Sequence, residues 1–251
     1  MNNENTQVDA LKYIAELKDN SSDNELKKYI ADNPTIEIEG RSYFRKDHSP
    51  VLEPMAKKLS LNSLYGLVAY INNTTDIDRK ADLMVTVASY DTVTVFGPVQ
   101  GDFLQRPWYV SAENEAPSFN FGRNMEIEEF IIALQTLFVK TNDRDDLIRF
   151  VSNITAEASL KREDDGIGQQ VTAKSGIRVS EMKVPNPVRL VPYRTFIEVA
   201  QPESDFLFRL QKSGDDIYCN LREADGGQWK IEAMANIREY LSENLKEGIV
   251  I

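Results

Sequence analysis

The chain has 251 residues, of which 29 are Lys or Arg and 40 are Asp or Glu, giving a formal net charge of −11. An apolar fraction of 41% is enough to bury a core, which excludes disorder throughout. The acidic balance argues against a general nucleic-acid coat, because that binding needs a surplus of cations, and a single Cys219 excludes an internal disulfide framework and any Cys-based zinc site.

Val8, Leu11, Ile14, Ala15 and Leu17 recur at helical spacing over residues 6–18. A second, capped helix follows Ser21 and Ser22 with Leu26, Tyr29 and Ile30. Residues 1–33 are therefore expected to form a helical N-terminal arm closed by Pro34, with an α+β domain over 34–251 that could subdivide near 120–160. Met1–Asp9 is polar and lacks the layout of a signal peptide, and no apolar run approaches bilayer-spanning length. The cytoplasm is the expected compartment, with no membrane partner.

Thr35–Ile38 and Arg41–Phe44 alternate on both sides of Glu39-Gly40, which predicts a hairpin. From Ser60, the pattern Leu61, Leu64, Tyr65, Leu67, Val68 and Ile71 predicts a helix ending at Asn72-Asn73. Runs near Leu83–Ala88, Val93–Phe96 and Trp108–Ser111 predict an antiparallel meander of three strands.

Ile127, Phe130, Ile131, Leu134, Leu137 and Phe138 predict a helix over 126–139, with Glu126, Glu128 and Glu129 suited to its N-terminal turn. A further helix is expected from about Asp143, with Leu147, Ile148, Val151 and Ile154 on one face. Strands then run from Gln169 to Leu221, followed by an Asp225-Gly226-Gly227 turn, a helix over 230–245 and an apolar tail, Ile249–Ile251. The order helix, strand, helix, strand, helix, without regular β-α-β alternation, gives an α+β class: antiparallel sheets with helices packed on one side.

No catalytic or metal-binding constellation emerges, and no cofactor is expected. His48 is the only histidine, which excludes schemes needing two imidazoles. Asn142–Asp146 lacks the glycine and distal glutamate of a calcium loop and reads better as the acidic start of a helix. Glu163–Gly168 carries a Gly-x-Gly without the strand and helix that a phosphate-binding loop needs, and reads as a surface turn. Cys219 sits in an alternating apolar run, the setting of a buried small hydrophobe.

Charge is distributed unevenly. Residues 160–195 hold 7 basic residues (Lys161, Arg162, Lys174, Arg178, Lys183, Arg189 and Arg194) against 4 acidic ones, a net +3. The remaining chain holds 22 basic against 36 acidic residues, a net −14. Such a segment can pair with an acidic patch of its own or another subunit, or bind an anion or nucleic acid. Tyr193, Arg194 and Phe196 cluster between Pro192 and Pro202, a composition suited to an interface anchor or a base-stacking platform. It suits equally an arginine that satisfies the carbonyls of an irregular buried segment.

The stretch Asn186–Leu210 is distinctive, and it resembles the YfdQ-like family of uncharacterised phage and prophage proteins. Asp164–Gly166, Gln169–Thr172, Lys174–Gly176 and the helix pair over 126–154 fit the same layout, as does, more weakly, Leu83–Val95. The resemblance implies a phage or prophage origin and hence a bacterial host cytoplasm, and brings no catalytic residues. The expected function is a non-enzymatic phage accessory protein that self-assembles into a symmetric homo-oligomer. The alternatives are a nucleic-acid-binding factor in phage DNA metabolism and an anti-defence binder of a host protein or nucleotide signal. The candidate contact residues are Lys161, Arg162, Lys174, Arg178, Lys183, Arg189, Tyr193, Arg194 and Phe196.

Overall fold

The computed structural model describes residues 27–28, 31–32, 34–38, 41–44, 51–52, 55–101, 103–154, 160–162, 169–175, 178–183, 185–214 and 216–251. The chain forms two compact units, one from residues 1–56 with 99–107 and the other from 57–98 with 108–251. The helix expected over 6–18 and the Gly-x-Gly turn lie outside the described residues, as does His48. Of the second expected helix, residues 27, 28, 31 and 32 are described and are helical.

In the first unit, Thr35–Ile38 (β1) and Arg41–Phe44 (β2) pair antiparallel, from Thr35 opposite Phe44 to Ile38 opposite Arg41. The Val51 N–H donates to the Ser42 carbonyl at 2.9 Å, and the rings of Tyr43 and Phe103 meet edge to face with centroids 5.3 Å apart.

The second unit runs β3 (Leu59–Leu61), α1 (Leu64–Asn73), β4 (Met84–Ser89), β5 (Thr92–Phe96), β6 (Trp108–Glu113), β7 (Met125–Glu126), α2 (Ile127–Leu137) and α3 (Asn142–Ser152). It continues through β8 (Leu160–Arg162), β9 (Gln169–Ser175), β10 (Arg178–Lys183), β11 (Val188–Leu190), β12 (Ser204–Ser213), β13 (Asp216–Glu223), α4 (Trp229–Asn244) and β14 (Ile249–Val250). The fold is α+β, as the order of the elements predicts.

The expected meander is present, since β4, β5 and β6 are consecutive and antiparallel. Asp91 holds the β4–β5 turn, its carboxylate accepting from the hydroxyls of Ser89 and Thr92. Short parallel strands extend both edges, giving a five-stranded sheet in the order β14-β4-β5-β6-β3. Two expectations change here. Ser60 and Leu61 belong to a strand against β6 rather than to a helix, and the helix starts at Leu64, where the Ser63 hydroxyl accepts the Gly66 N–H at 3.2 Å. The tail is a strand as well: the Ile249 and Ile251 N–H groups donate to Leu83 and Val85.

Helices α1 and α4 cover this sheet. Leu64, Leu67, Ile71, Ile237 and Leu241 are fully buried with Val85, Val93, Val95 and Val110. Asn72 ties the ends of the two helices together, donating to the Asn244 carbonyl and accepting from the Lys246 N–H.

A second sheet, β11-β12-β13-β7, is antiparallel throughout. Alternation along β12 points Ser204, Phe206, Phe208 and Leu210 inward. Helices α2 and α3 close over that face, placing Phe130, Leu134, Phe150 and Val151 in one core with Phe206, Phe208 and Cys219. Rings build much of this core: Phe130 stacks on Phe208 at 5.4 Å and Phe121 on Phe206 at 5.2 Å. The acidic run at the start of α3 behaves as a helix start: the Thr141 hydroxyl accepts the Arg144 N–H, while Asp145 pairs with Arg144 and Asp146 with Arg149.

A third sheet, β10-β9-β8, is antiparallel and shares no strand with the others among the described residues. No helix among the described residues is long and apolar enough to cross a membrane.

Candidate functional site: a charged cleft beside the proline-rich segment

Prolines 187, 192 and 202 deny residues 187–203 a continuous ladder, so the segment is held by other means. The Tyr193 N–H donates to the Leu137 carbonyl, and the Val139 N–H donates to Val191. Gln201 organises the middle: its Oε1 accepts the N–H groups of Arg194 and Thr195, and its Nε2 donates to the carbonyls of Phe196 and Val199. The Thr195 hydroxyl donates to the Tyr90 carbonyl in the β4–β5 turn.

This scaffold drives Arg194 inward, to 6% exposure. Its Nη1 donates to Glu223 Oε1 at 2.7 Å, and its Nη2 donates to Ser204 Oγ at 2.6 Å and to the Pro202 carbonyl at 3.4 Å. The Ser204 hydroxyl in turn donates to Asp225 Oδ2 at 2.7 Å, and Asp225 Oδ1 accepts the Gly227 N–H. The guanidinium also lies 4.0 Å from the ring centroid of Trp229, a cation–π contact strengthened by burial. Arg194 Nε and Trp229 Nε1 are buried without an acceptor among the described residues.

Burial lowers the Arg194 pKa from its ordinary value, partly offset by the bond to Glu223. Burial pushes the Asp225 carboxyl upward, but the Ser204 hydroxyl, the backbone N–H groups of Gly227 and Trp229 and the Arg194 charge together hold it below the usual carboxylate value. The turn that delivers Asp225 places Gly226 and Gly227 at φ +65° and +84°, a conformation that costs a side chain strain.

Above this network lies an open cleft of about 330 Å³ lined by Arg189, Glu203, Ser204, Asp205, Asp225, Gln228, Trp229 and Glu232. Four carboxylates face one guanidinium there. Arg189 is exposed on β11, with Nε 3.0 Å from Asp205 and 3.7 Å from Glu203. The bond to Asp205 raises its pKa, with Glu203 and Asp143 adding to the effect. A second cleft of about 310 Å³ is lined by Asp143, Asp146, Leu147, Phe150, Pro185, Pro187 and Val188. Val188, which lines the second cleft, turns inward and Arg189, which lines the first, turns outward, so the two clefts belong to different faces of β11.

The nine candidate contact residues separate into three groups. Lys161 and Arg162 lie in β8, Lys174 in β9, and Arg178 and Lys183 in β10. The register sets Lys161, Gln170 and Lys183 in one cross-strand row, with Lys174 opposite Val179 and Arg178 opposite Ser175. Arg189 is exposed but paired, and Tyr193 is half-buried.

Arg194 and Phe196 are not surface contacts. Phe196 is fully buried in the core under the five-stranded sheet, and Arg194 is committed to Glu223 and Ser204. Arg194 and Phe196 therefore offer no Arg-aromatic platform, because the ring serves packing and the cation serves an internal network.

Glu203, Asp205, Asp225, Trp229 and Glu232 were not among the candidate contact residues, although Asp225 was expected in a turn. Glu203 and Asp205 flank Ser204 at a two-residue spacing, which on a strand with an inward serine puts both carboxylates outward. Asp225 and Glu232 offered no such sign.

Cys219 is fully buried, and desolvation pushes its thiol up to about 12, which keeps it a protonated hydrophobe. Among the described residues, no group of three His, Cys, Asp or Glu side chains is placed to hold a metal ion.

Comparison of the chain with known protein families, with curated proteins and with solved structures finds no match in any of the three.

Proposed function

We propose that this chain is a non-enzymatic phage accessory protein whose working form is a symmetric homo-oligomer. The observation that carries this reading is the β8–β10 sheet. Its described strands carry Lys161, Arg162, Lys174, Arg178 and Lys183 against Glu181 alone, and among the described residues it shares no strand with the other sheets. An edge strand with an open side is a template for pairing with another chain, and charge of the opposite sign on that chain selects the partner.

The phage setting rests on the resemblance of Asn186–Leu210 and its flanks to the YfdQ-like family. The inert state of Cys219 supports the non-enzymatic part, since it removes the one thiol as a nucleophile. Burial of Phe196 and Arg194 argues against base stacking in this segment and so favours assembly over nucleic-acid binding.

Light scattering on the full chain tests the reading. A mass that is a whole multiple of 28.6 kDa and holds over a dilution series is expected. A monomer at every concentration overturns it.

A further inference from the structure

We infer that β10 (Arg178–Lys183) is the strand through which two copies of this chain join, pairing antiparallel with its own counterpart about a two-fold axis at Met182. The inference rests on the homo-oligomer reading and names the edge, the symmetry and the register of the contact.

The backbone selects the edge. Among the described residues, β10 closes one side of the β10-β9-β8 sheet and pairs with β9 alone. On the other side of that sheet, β8 lies beside β12. With six residues, β10 is also the longest edge strand described, since every other edge strand has four residues or fewer. Short edge strands and edge prolines keep sheets from pairing with other chains, and β10 has neither device.

The sequence of the strand selects the register. Antiparallel pairs alternate between two kinds, so a strand that meets its own copy symmetrically must set one residue opposite itself. Centres at Arg178, Glu181 or Lys183 put like charges face to face, and centres at Val179 or Ser180 put each charge of the strand opposite an uncharged residue. A centre at Met182 sets Glu181 opposite Lys183 of the second copy, and does so twice. Opposite charges at directly opposed positions stabilise such a pair, whereas like charges destabilise it. Within their own sheet these two positions face uncharged residues, Glu181 opposite Thr172 and Lys183 opposite Gln170. Joined in this way, two three-stranded sheets become one continuous sheet, and the contact closes as a dimer.

Cross-linking and charge reversal on the full chain test the contact. Met182→Cys should form a disulfide-linked dimer under oxidised glutathione, because the two copies of that position face each other across the axis. Ser180→Cys should not, since its two copies lie about 13 Å apart along the strands, beyond the roughly 7 Å that a disulfide spans. Cys219 is buried and does not compete. By light scattering, Glu181→Lys and Lys183→Glu should each weaken dimerisation by roughly fivefold or more. An equimolar mixture of the two should regain it, as should a chain carrying both changes. Circular dichroism establishes that each variant folds; where a charge variant does not, the two cysteine variants decide. An unaltered chain that assembles while Met182→Cys fails to cross-link, or while Ser180→Cys cross-links as readily, overturns this contact and leaves the homo-oligomer reading standing. Weakened charge variants that neither mixing nor combination rescues overturn the register. An unaltered chain that is monomeric overturns the homo-oligomer reading itself.

Discussion

Replacing Glu223 by Gln should destabilise the protein more than removing the arginine it faces. Arg194 is 6% exposed, whereas the Glu223 side chain is 34% exposed. The guanidinium is thus the desolvated member of the pair and depends on its partner, while the carboxylate can fall back on water. Removing one partner of a buried pair costs about 3–5 kcal/mol, and the partial exposure of Glu223 brings the expected cost of Glu223→Gln to about 2–3 kcal/mol. For Arg194→Met the buried charge disappears together with its desolvation cost, so about 1–2 kcal/mol is expected, for the lost donors to Ser204 and Pro202 and the lost cation–π contact with Trp229. The double variant should cost little more than Arg194→Met alone, which gives a coupling of at least about 1 kcal/mol. Urea unfolding reads all four corners of the cycle, and in a thermal melt Glu223→Gln should lower Tm by roughly 4–12 °C. A smaller loss for Glu223→Gln than for Arg194→Met, or additive losses, would refute the reasoning.

Three further outcomes can be checked directly. Asp225 is held below its ordinary pKa chiefly by Ser204, once the upward push of burial is overcome, and Asp145 is held down by its bond to Arg144. Depressed carboxylates stabilise fully above their unfolded value of about 3.9 and lose that contribution as pH falls through the lower folded value. Urea midpoints should therefore drop on acidification below about pH 4, and Asp225→Asn should flatten that drop. Cys219 should resist alkylation in the native protein at pH 8 and react once urea unfolds it; rapid native labelling would contradict its burial and its thiol at about 12. Phe208→Ala should cost about 3–5 kcal/mol by equilibrium unfolding, because its ring meets both Phe130 and Phe150 in a filled core.

The elements that the sequence revealed are those whose period is long enough to repeat. Helices α2 and α3 show several turns of apolar residues on one face, and the meander and the β1–β2 hairpin alternate around visible turns. Strands β3 and β14 have three and two residues and no period of their own. They are strands because β6 and β4 offer open edges, and that is a fact of tertiary structure. Arg194 shows the same limit at the site. A proline-punctuated segment has no alternation to say which residues turn inward, and the deciding partner, Glu223, lies 29 residues away. The excess of cations over 160–195 was legible from composition alone, whereas the carboxylates of the cleft are brought together from β12, the Asp225 turn and α4 by folding.

Residues 188–199 have a mechanical consequence. Val188 and Leu190 belong to the core under α2 and α3, while Phe196 and Val199 belong to the core under α1 and α4. One short stretch of backbone is thus stitched into both layers, and the Thr195 hydroxyl fastens it to the β4–β5 turn of the five-stranded sheet. Neither layer can melt without pulling the stitch from the other. Within this unit, heating should give a single transition shared by every spectroscopic probe, and a protease that nicks this stretch should lower the resistance of both halves rather than release one intact.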